Sequence, residues 1–492
     1  MRTVHHMATA PHVLLSRLLF GEQRLNPTVV WVLTLAIASG VGILTVKLGL
    51  LVAAAIILLV IAAPIALSAL WNTQIGLYIM VFFAYFLGVF NRLLRNVPLG
   101  IALDCMILIM LLGLLYRCYR HKDWSPFTSP ISVAVGLWAA MNVIELFNPI
   151  AGSRMAWFYV IRPAVGYLLL FFLTLSALKD EKQLYSLLFT LIAVNTISAF
   201  WGIYQYFFGY FDWEMAHIMR NDALHLVFND GRWRSFGSVG SPAQYGILMA
   251  FTGSISMMMI GGFRSLWIKG LLFIAGSSAL LALLYSGTRS AFVIPGIFFI
   301  AWVVLSGKKR WYASLLVPII GLVVLANVQT SNYQLQRIQT IFNATQDKSY
   351  QVRAQNRAMI TPWIIMHPIG GGLGSTGVWG TRFSPHTFLA NFPPDSGLVR
   401  VAVELGWIGL ILFLNVYGQT IWRAAKAYRK MHNRKLRVVT AGITCGVAAL
   451  LPVEWGQEVV GVYPISILFW LYTAILFRAI ALDQFTTQNI NS

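Results

Sequence analysis

Long apolar runs separated by short polar segments extend along most of this chain. A bilayer-spanning helix needs about 20 mostly apolar residues, and fourteen segments come close to that length and composition. They lie near residues 28–46, 48–66, 75–90, 98–116, 128–147, 163–178, 185–208, 242–261, 268–286, 289–306, 311–328, 397–418, 438–455 and 460–480. The pattern predicts an all-α fold, a polytopic transmembrane helix bundle of about 12–14 spans with a partly helical outer loop lobe.

Polar segments between the runs divide the chain into regions. Two of the predicted outer segments are long, and loops of such length are often functional. The sequence predicts a cytoplasmic N-terminal segment 1–27, a transmembrane bundle 28–328 with an outer loop 209–241, a large outer loop 329–396, C-terminal spans 397–480 and a cytoplasmic tail 481–492.

The composition agrees with a membrane protein. Hydrophobic residues make up 58% of the chain and charged residues only 11%, against about a quarter charged in a soluble domain. The net charge of +20 does not indicate nucleic-acid binding, because loop Lys and Arg set membrane topology. The three cysteines, Cys105, Cys118 and Cys445, follow no pattern typical of a disulfide framework or a metal site. The expected partner is therefore the lipid bilayer and not nucleic acid.

Lysine and arginine divide unequally between the two sides of the predicted topology. With the N-terminus inside, nine of the eleven lysines fall in inner loops; only Lys47 and Lys348 fall outside, together with thirteen arginines. Arginine offers a planar fork that binds phosphate through two hydrogen bonds, whereas lysine is a point charge. The sequence therefore favours an outer-face site for a phosphate-bearing ligand. Pairing of these arginines with Asp or Glu is the alternative.

Three outer arginines lie close to the starts of predicted spans. Arg232 and Arg234 stand two residues apart, so they would share one side of an extended segment. Arg289 lies in a very short turn between two spans, and a charge at that depth usually faces a cavity or a partner. We interpret all three as candidate ligands of an anionic group. Interfacial anchoring of Arg232 and Arg234, and snorkelling of Arg289, are the alternatives.

The large outer loop carries two more arginines and a glycine-rich turn. Arg353 and Arg357 are four residues apart on a predicted helix, so they share one face. After Pro368, the segment 370–374 breaks the helix and could present backbone N–H groups to an anion. It lacks the Gly-Lys-Ser/Thr ending of a nucleotide P-loop, which argues against ATP binding.

Two side chains beside the outer mouth of the bundle are candidate general bases, His386 and Asp395. A histidine titrates near neutrality, and the surroundings of a carboxylate can tune its pKa. A loop histidine can equally be structural or solvent-exposed. Four acidic residues lie within spans or near their ends, and either ion coupling or pairing with a buried arginine would explain them: Asp104, Glu145, Glu454 and Glu458.

Over roughly residues 160–480 the sequence resembles the O-antigen ligase and O-antigen polymerase superfamily of bacterial envelope enzymes. The resemblance rests on short motifs, on their order and on their predicted side of the membrane. The motifs are Ser241-Pro242-Ala243-Gln244-Tyr245-Gly246, Gly287-Thr288-Arg289-Ser290-Ala291, His367-Pro368-Ile369-Gly370-Gly371-Gly372-Leu373-Gly374 and Val403-Glu404-Leu405-Gly406-Trp407-Ile408-Gly409.

The resemblance implies a metal-independent glycosyltransferase without a cofactor, in the bacterial inner (plasma) membrane, with its active site facing the periplasm or exterior. The donor would be a glycan on undecaprenyl diphosphate. The acceptor would be lipid A–core in a ligase, or another lipid-linked glycan repeat in a polymerase. A loop base would activate the acceptor hydroxyl, and outer arginines would hold the diphosphate, for which the candidates are Arg232, Arg234, Arg289, Arg353 and Arg357.

One position departs from the ligase pattern. Ligases typically carry a histidine at the register that Asp395 occupies here, nine residues before Glu404, and His386 lies nine residues earlier still. Either Asp395 is the base, or His386 reaches in from the loop. The departure favours a repeat-unit polymerase or a related exopolysaccharide enzyme. A transporter or flippase for a lipid-linked or anionic solute is the alternative, although the sequence shows no internal repeat typical of that class.

Overall fold

The computed structural model describes residues 64–93, 99–221, 223–229, 231–316, 348–394 and 396–491, together with the single positions 39, 320, 336 and 339. In this part of the chain nearly every element is a helix, which confirms the predicted all-α fold. The helices are α1 (Thr73–Leu93), α2 (Leu99–His121), α3 (Ser132–Ile144), α4 (Arg154–Ile161), α5 (Leu169–Ala177), α6 (Glu181–Phe208), α7 (Asp212–Arg220), α8 (Leu224–Val227), α9 (Pro242–Met259), α10 (Leu266–Ser286), α11 (Arg289–Ser306), α12 (Lys309–Tyr312), α13 (Lys348–Met366), α14 (Gly377–Phe383), α15 (Gly397–Glu404), α16 (Gly406–Tyr428), α17 (Arg434–Gly456) and α18 (Ile465–Asn491).

Shorter elements connect these helices. An antiparallel hairpin of β1 (Phe228–Asn229) and β2 (Arg232–Trp233) follows α8. A π-helical turn, Arg162–Gly166, joins α4 to α5; the proline at its second position has no N–H to donate, which accounts for the wider turn. The 3₁₀ turns are Ser125–Phe127, Glu145–Phe147, Ile260–Gly262, Ala313–Leu315 and Leu389–Asn391.

Nine of the described helical segments are long and apolar enough to cross a membrane. They are α1, α2, the α4–α5 unit, α6, α9 with its 3₁₀ extension, α10, α11, α17 and α18. The segment Ser132–Phe147, which contains α3, is apolar but shorter. The predicted spans 28–46, 48–66 and 311–328 lie wholly or mostly outside the described residues. The chain is a multi-pass membrane protein.

The boundaries of the predicted span 397–418 are corrected by the structure. Helix α15 ends at Glu404, and α16 begins at Gly406 and runs further than predicted. Gly406 has φ +68°, and a Cβ on it would lie 2.0 Å from the carbonyl oxygen of Pro368. Because only glycine tolerates this approach, the break between the helices brings the glycine-rich loop against the start of α16.

Helices α9, α17 and α18 form the centre of the bundle. Between 72% and 83% of their apolar windows is buried, compared with 28% for α11. Small residues allow α9 and α10 to approach closely: a Cβ on Gly253 would lie 3.0 Å from the side chain of Ala279. Such contacts favour helix association in a membrane, where apolar side chains gain little from moving out of lipid into a helix interface. Helix α11 is therefore peripheral.

Polar contacts tie together the helix ends at one side of the bundle. Asp483 Oδ1 of α18 accepts a hydrogen bond from Asn433 N at 2.7 Å, and Glu181 Oε1 of α6 accepts one from Asn433 Nδ2 at 2.9 Å. Arg478 Nη2 of α18 donates to the carbonyl oxygen of Lys179 at 3.0 Å. The predicted topology makes this the cytoplasmic end. The glycine-rich loop and the segment 209–241 lie at the other end.

A buried ion pair attaches the segment 209–241 to α1. Arg92 Nη1 lies 3.5 Å from Glu214 Oε1, and both side chains are almost inaccessible to solvent. Arg92 Nη2 also donates to the carbonyl oxygen of Ser238 at 2.9 Å, and the guanidinium lies 4.7 Å from the ring centre of Phe236. Burial raises the pKa of the Glu214 carboxyl, although Arg92 acts in the opposite direction. The stability of this segment therefore depends on a desolvated ion pair.

We expect Arg92→Leu to destabilise the protein by about 3–5 kcal/mol, because the Glu214 carboxylate stays buried without its charged partner. The double variant with Glu214→Leu should lose less than the sum of the two single losses. Thermal unfolding of the purified protein in mild detergent measures all three. Arg220→Ala, which removes an exposed arginine of the same segment, should change stability by no more than about 0.5 kcal/mol. Strictly additive losses would contradict the proposed coupling.

Candidate functional site

The glycine-rich loop after α13 folds around the carboxylate of Glu404. Glu404 Oε2 accepts a hydrogen bond from Gly374 N at 3.0 Å, and Oε1 accepts one from the Thr376 hydroxyl at 2.5 Å. The amides of Gly371 and Gly372 donate to main-chain carbonyls at the end of α15. The sequence predicted a loop able to present N–H groups to an anion. The anion that this loop holds is a carboxylate of the same chain.

Close backbone approaches explain the glycines of this loop. Gly370 has φ +73°, and a Cβ on it would lie 2.4 Å from Gly406 N. The carbonyl oxygen of Gly370 accepts a hydrogen bond from Asn148 Nδ2 at 3.1 Å, and the same amide group donates to Glu145 Oε2 at 2.7 Å. The loop is therefore fixed on one side to α16 and on the other to the segment after α3.

Arg400 connects the loop to the residues that follow α17. Its Nε donates to Glu404 Oε1 at 3.2 Å, and its Nη1 donates to Glu458 Oε2 at 2.6 Å. Burial opposes the charge on Arg400, but the two carboxylates outweigh burial and raise the pKa of the guanidinium. Glu404, Arg400 and Glu458 thus form a continuous chain of charges across the site.

Glu454 fixes the backbone at the end of α17. Its carboxylate accepts hydrogen bonds from Val459 N at 3.1 Å, from Val460 N at 2.8 Å and from the Tyr417 hydroxyl at 3.3 Å. The carbonyl oxygen of Glu454 accepts a hydrogen bond from the hydroxyl of Ser396, the N-cap of α15, at 2.9 Å. The N-terminus of α15 is therefore held against the end of α17.

A cavity of about 330 Å³ opens between α2, α3, the π-helical turn, α14, α15 and α18. This volume lies at the lower end of the range for small-molecule sites, and π-helical turns occur often at functional sites. Arg162 and Arg400 both line the cavity, and Arg162 Nη1 lies 2.7 Å from Asp104 Oδ2. Aromatic side chains form much of its wall: Trp138, Tyr159, Tyr167, Trp379, Tyr463 and Trp470.

The structure bears on the two explanations for the acidic residues near the span ends. Asp104 and Glu458 each pair with an arginine, which agrees with the explanation by arginine pairing. Glu145 and Glu454 instead accept hydrogen bonds from neutral groups. Among the residues that the structure describes, no three His, Cys, Asp or Glu side chains cluster as metal ligands would.

Arg234 holds the turn that precedes Arg289. Its Nε donates to the carbonyl oxygen of Ser286 at 3.0 Å, its Nη2 to Thr288 Oγ1 at 3.1 Å and its Nη1 to the carbonyl oxygen of Leu226 at 3.1 Å. All three nitrogens of the fork therefore contact the chain itself. Arg289 follows the turn as the first residue of α11 and is half-buried.

Two distant parts of the sequence contact the same helix end. Ser290, which follows Arg289, donates from its hydroxyl to Gln457 Oε1 at 2.9 Å. The guanidinium of Arg357 lies 4.8 Å from the ring centre of Trp455. The structure thus brings Arg357 and the residue that follows Arg289 to the C-terminal end of α17, which we call the α17 terminus (residues 454–458).

The other predicted site residues lie around this point. Arg353 stands one turn before Arg357 on α13 and lines a narrow crevice together with Ser396. Arg232 is exposed on the β-hairpin, and His386 is exposed in the turn that follows α14. Asp395 lies outside the described residues, directly before Ser396.

Sequence reasoning did not single out Arg162 and Arg400, the two arginines that line the cavity. Arg162 pairs with Asp104, 58 residues away, so that partner is not visible in the local pattern. Arg400 pairs both with Glu404, four residues away, and with Glu458, 58 residues away, and only the first of these partners is local. The available signal was an arginine at the outer end of an apolar segment, which usually has a partner.

Comparison with known families supports the importance of this region. Residues 271–414 match the family model described as O-Antigen ligase. The matched segment begins in α10 and ends in α16, and it includes Arg289, Arg353, Arg357 and Glu404. No curated protein matches the chain. The match therefore covers the glycine-rich loop and the arginines that lie beside the α17 terminus.

We expect Glu404→Ala to open the glycine-rich loop, because Gly374 N, the Thr376 hydroxyl and Arg400 all lose an acceptor. Each buried donor left without an acceptor costs about 1–3 kcal/mol, so the open form should become at least about tenfold more populated. Limited proteolysis between α13 and α15 measures this opening.

Two further variants sharpen this prediction. Glu404→Gln keeps an acceptor oxygen and removes the charge, so cleavage should accelerate less than in Glu404→Ala. Asp212→Asn alters an exposed carboxylate far from this loop in the sequence, so the protease should cleave it at the same rate as the unmodified protein. Equal protection of the loop in Glu404→Ala and in the unmodified protein would show that Glu404 does not hold it.

Proposed function

We propose that this chain, a member of the O-antigen ligase and polymerase superfamily, moves or polymerises a glycan from an undecaprenyl-diphosphate-linked donor on the outer face of the bacterial inner membrane. The family match gives it a membrane glycan-processing function. The observation that carries the finer proposal is that Arg357 and Ser290, the residue after Arg289, both contact the α17 terminus, in the matched segment and close to the Arg400 cavity. Arginines presented from these two segments would suit a diphosphate leaving group.

The five predicted arginines would serve the diphosphate in different ways. Arg289 and Arg357 would contribute their forks, and Arg353 would add charge one helical turn away. Arg234 would act mainly by holding the turn that positions Arg289, because its own donors already contact the chain. Arg232, exposed on the hairpin, would meet the donor at the rim. With this much fixed charge, we propose that transfer needs neither a metal ion nor a cofactor.

The proposed reaction replaces one bond to the anomeric carbon of the donor glycan with another. The base takes the proton of an acceptor hydroxyl while that oxygen bonds to the anomeric carbon. The bond from the anomeric carbon to the diphosphate oxygen breaks, and its electron pair leaves with undecaprenyl diphosphate. The arginines stabilise the charge that develops on this oxygen, and a positioned base contributes about 10²–10⁴-fold.

Two observations favour Asp395 over His386 as the base. Ser396, the next residue, is anchored to the carbonyl oxygen of Glu454 and lies in the crevice that Arg353 and Arg357 line. His386 is exposed in a turn. A base must stay within hydrogen-bond reach of the acceptor hydroxyl, and we propose Asp395 because the residue that follows it in the sequence is fixed in this crevice.

The 330 Å³ cavity would receive part of a glycan. Tyr159 and Trp379 stack in its wall with ring centres 4.6 Å apart, and they offer flat surfaces to sugar rings. Arg162 and Asp104 offer a donor and an acceptor to hydroxyl groups. An apolar, aromatic wall with a few polar groups is the usual composition of a ligand site.

We expect Arg289→Ala to reduce transfer by about 10²–10³-fold, because the diphosphate loses a forked donor in the transition state. Arg357→Ala and Arg232→Ala should also reduce it, and Arg289→Lys should retain more activity than Arg289→Ala because it keeps the charge. The assay incubates the purified protein with a diphospholipid-linked glycan, with and without lipid A–core as an added acceptor, and counts new glycosidic bonds.

Arg220→Ala is the control for this series, since it removes an exposed arginine of the same outer segment. It should transfer glycan at the unmodified rate. Normal transfer by both Arg289→Ala and Arg232→Ala would contradict the proposed diphosphate site. Movement of the intact donor across a bilayer without new bonds would instead favour a flippase.

We expect one of Asp395→Asn and His386→Ala, but not both, to abolish turnover while donor binding survives, because only one side chain can take the acceptor proton. Turnover and retention of a radiolabelled donor are measured on the same preparations. Asp212→Asn serves as the control for a lost surface carboxylate. Unchanged turnover in both base variants would place the base elsewhere.

A further inference from the structure

An apolar groove runs along α11 within the membrane-spanning part of the bundle. It has a volume of about 400 Å³ and lies between α9, α10 and α11. Met257, Leu280, Phe298 and Phe299 line it, and Pro295 and Trp302 mark its two ends along α11. These two residues are seven positions apart, so the groove follows the helix for about 10 Å.

A second cavity, of about 410 Å³, continues this groove at the end of the bundle that carries the α17 N-terminus. Met258 and Trp302 line both spaces, so the two adjoin at these side chains. The second cavity has a different lining, which includes His432, Arg434 and Arg437. The adjoining spaces are therefore apolar along α11 and cationic in the second cavity, which we call the mouth.

The cations at this mouth are fixed in place by the fold. Arg434 donates from Nε at 3.2 Å and from Nη2 at 2.8 Å to the carbonyl oxygen of Gly261, while its side chain stays exposed. The guanidinium of Arg437 lies 5.2 Å from the ring centre of Tyr428. Both arginines are thus held at the cavity by contacts within the protein.

The local electrostatics favour an anion at this mouth. The first turn of α17 contains no acidic residue and carries Arg434, Lys435 and Arg437. Cations at a helix N-terminus are unfavourable because the helix dipole is positive there. Lys308 and Lys309, exposed at the end of α11, add further positive charge to the chain that borders the groove. The carboxylates of Asp483 and Glu181, which accept hydrogen bonds from Asn433, offset part of this positive charge, and a bound phosphate would offset more of it.

We propose that this space binds an anionic glycerophospholipid, with its phosphate at Arg434 and Arg437 and one acyl chain in the groove along α11. A free phosphate would leave the groove unused, and an uncharged lipid would leave the arginines unused. Basic pockets between transmembrane helices on the cytoplasmic side are suited to acidic headgroups, and arginine binds phosphate through paired hydrogen bonds. Phosphatidylglycerol has the required chemistry.

The proposed lipid lies at the opposite end of the helices that carry the candidate site. Helix α11 begins at Arg289, and helix α17 ends beside Gln457. The opposite end of each helix borders the lipid cavity. An occupant there would brace peripheral α11 against the centre of the bundle. The expected effect is therefore on the stability of the bundle, which is separate from the transfer reaction.

The test uses the full chain, purified in a neutral detergent, and follows its thermal unfolding as lipid is titrated. Long-chain phosphatidylglycerol should stabilise the protein more than phosphatidylcholine of the same chains. Arg434→Ala/Arg437→Ala should weaken the apparent affinity for phosphatidylglycerol by about 25-fold, at roughly fivefold per cation. Arg120→Ala/Lys182→Ala, which removes two exposed cations at the same end of the bundle, should leave it unchanged.

Two further arms separate the headgroup from the acyl chain. Inorganic phosphate and a six-carbon phosphatidylglycerol should both stabilise the protein less than the long-chain lipid, because neither fills the groove. Equal stabilisation by phosphatidylcholine, by inorganic phosphate or by the short-chain lipid would overturn the proposal. Unchanged affinity in Arg434→Ala/Arg437→Ala would overturn it as well. None of these readouts depends on glycan transfer.

Discussion

The candidate site depends on the hydrogen bonds that the carboxylate of Glu404 accepts. This carboxylate accepts hydrogen bonds from Gly374 N and the Thr376 hydroxyl, and it also accepts one from Arg400. Arg400 in turn binds Glu458 beyond the end of α17. One buried acceptor thus joins the glycine-rich loop, the start of the C-terminal helices and the wall of the cavity. Because buried charges need partners, each member of this chain of contacts constrains the position of the next.

The same constraint explains why distant segments of the chain meet at one helix end. The α17 terminus is held in place because Glu454 accepts hydrogen bonds from its backbone amides, and it therefore offers a fixed surface to other segments. Ser290, next to Arg289, contacts that surface after a turn that Arg234 anchors, and Arg357 contacts it from α13. The proposed diphosphate site depends on the order that these contacts impose.

How much the sequence predicts depends on how local the signal is. Membrane helices were predictable because hydrophobicity is a property of each segment, and Arg289 stood out because its turn is so short. Arg162 was missed because its carboxylate partner is far away in the sequence, and so was the link from Arg400 to Glu458. The break at Gly406 was also missed, since it depends on contact with the carbonyl of Pro368. Asp395 was named from its register alone, and its role stays a prediction.

The most direct test of the account is the stoichiometry of the reaction. The unmodified protein would be reconstituted in liposomes with a labelled undecaprenyl-diphosphate-linked glycan and with lipid A–core as an added acceptor, without ATP or an ion gradient. New glycosidic bonds and released undecaprenyl diphosphate would then be counted in the same sample. The account predicts that the two products appear in a one-to-one ratio. Transfer of the intact donor to the other leaflet, with no glycosidic bond formed and no diphosphate released, would contradict it.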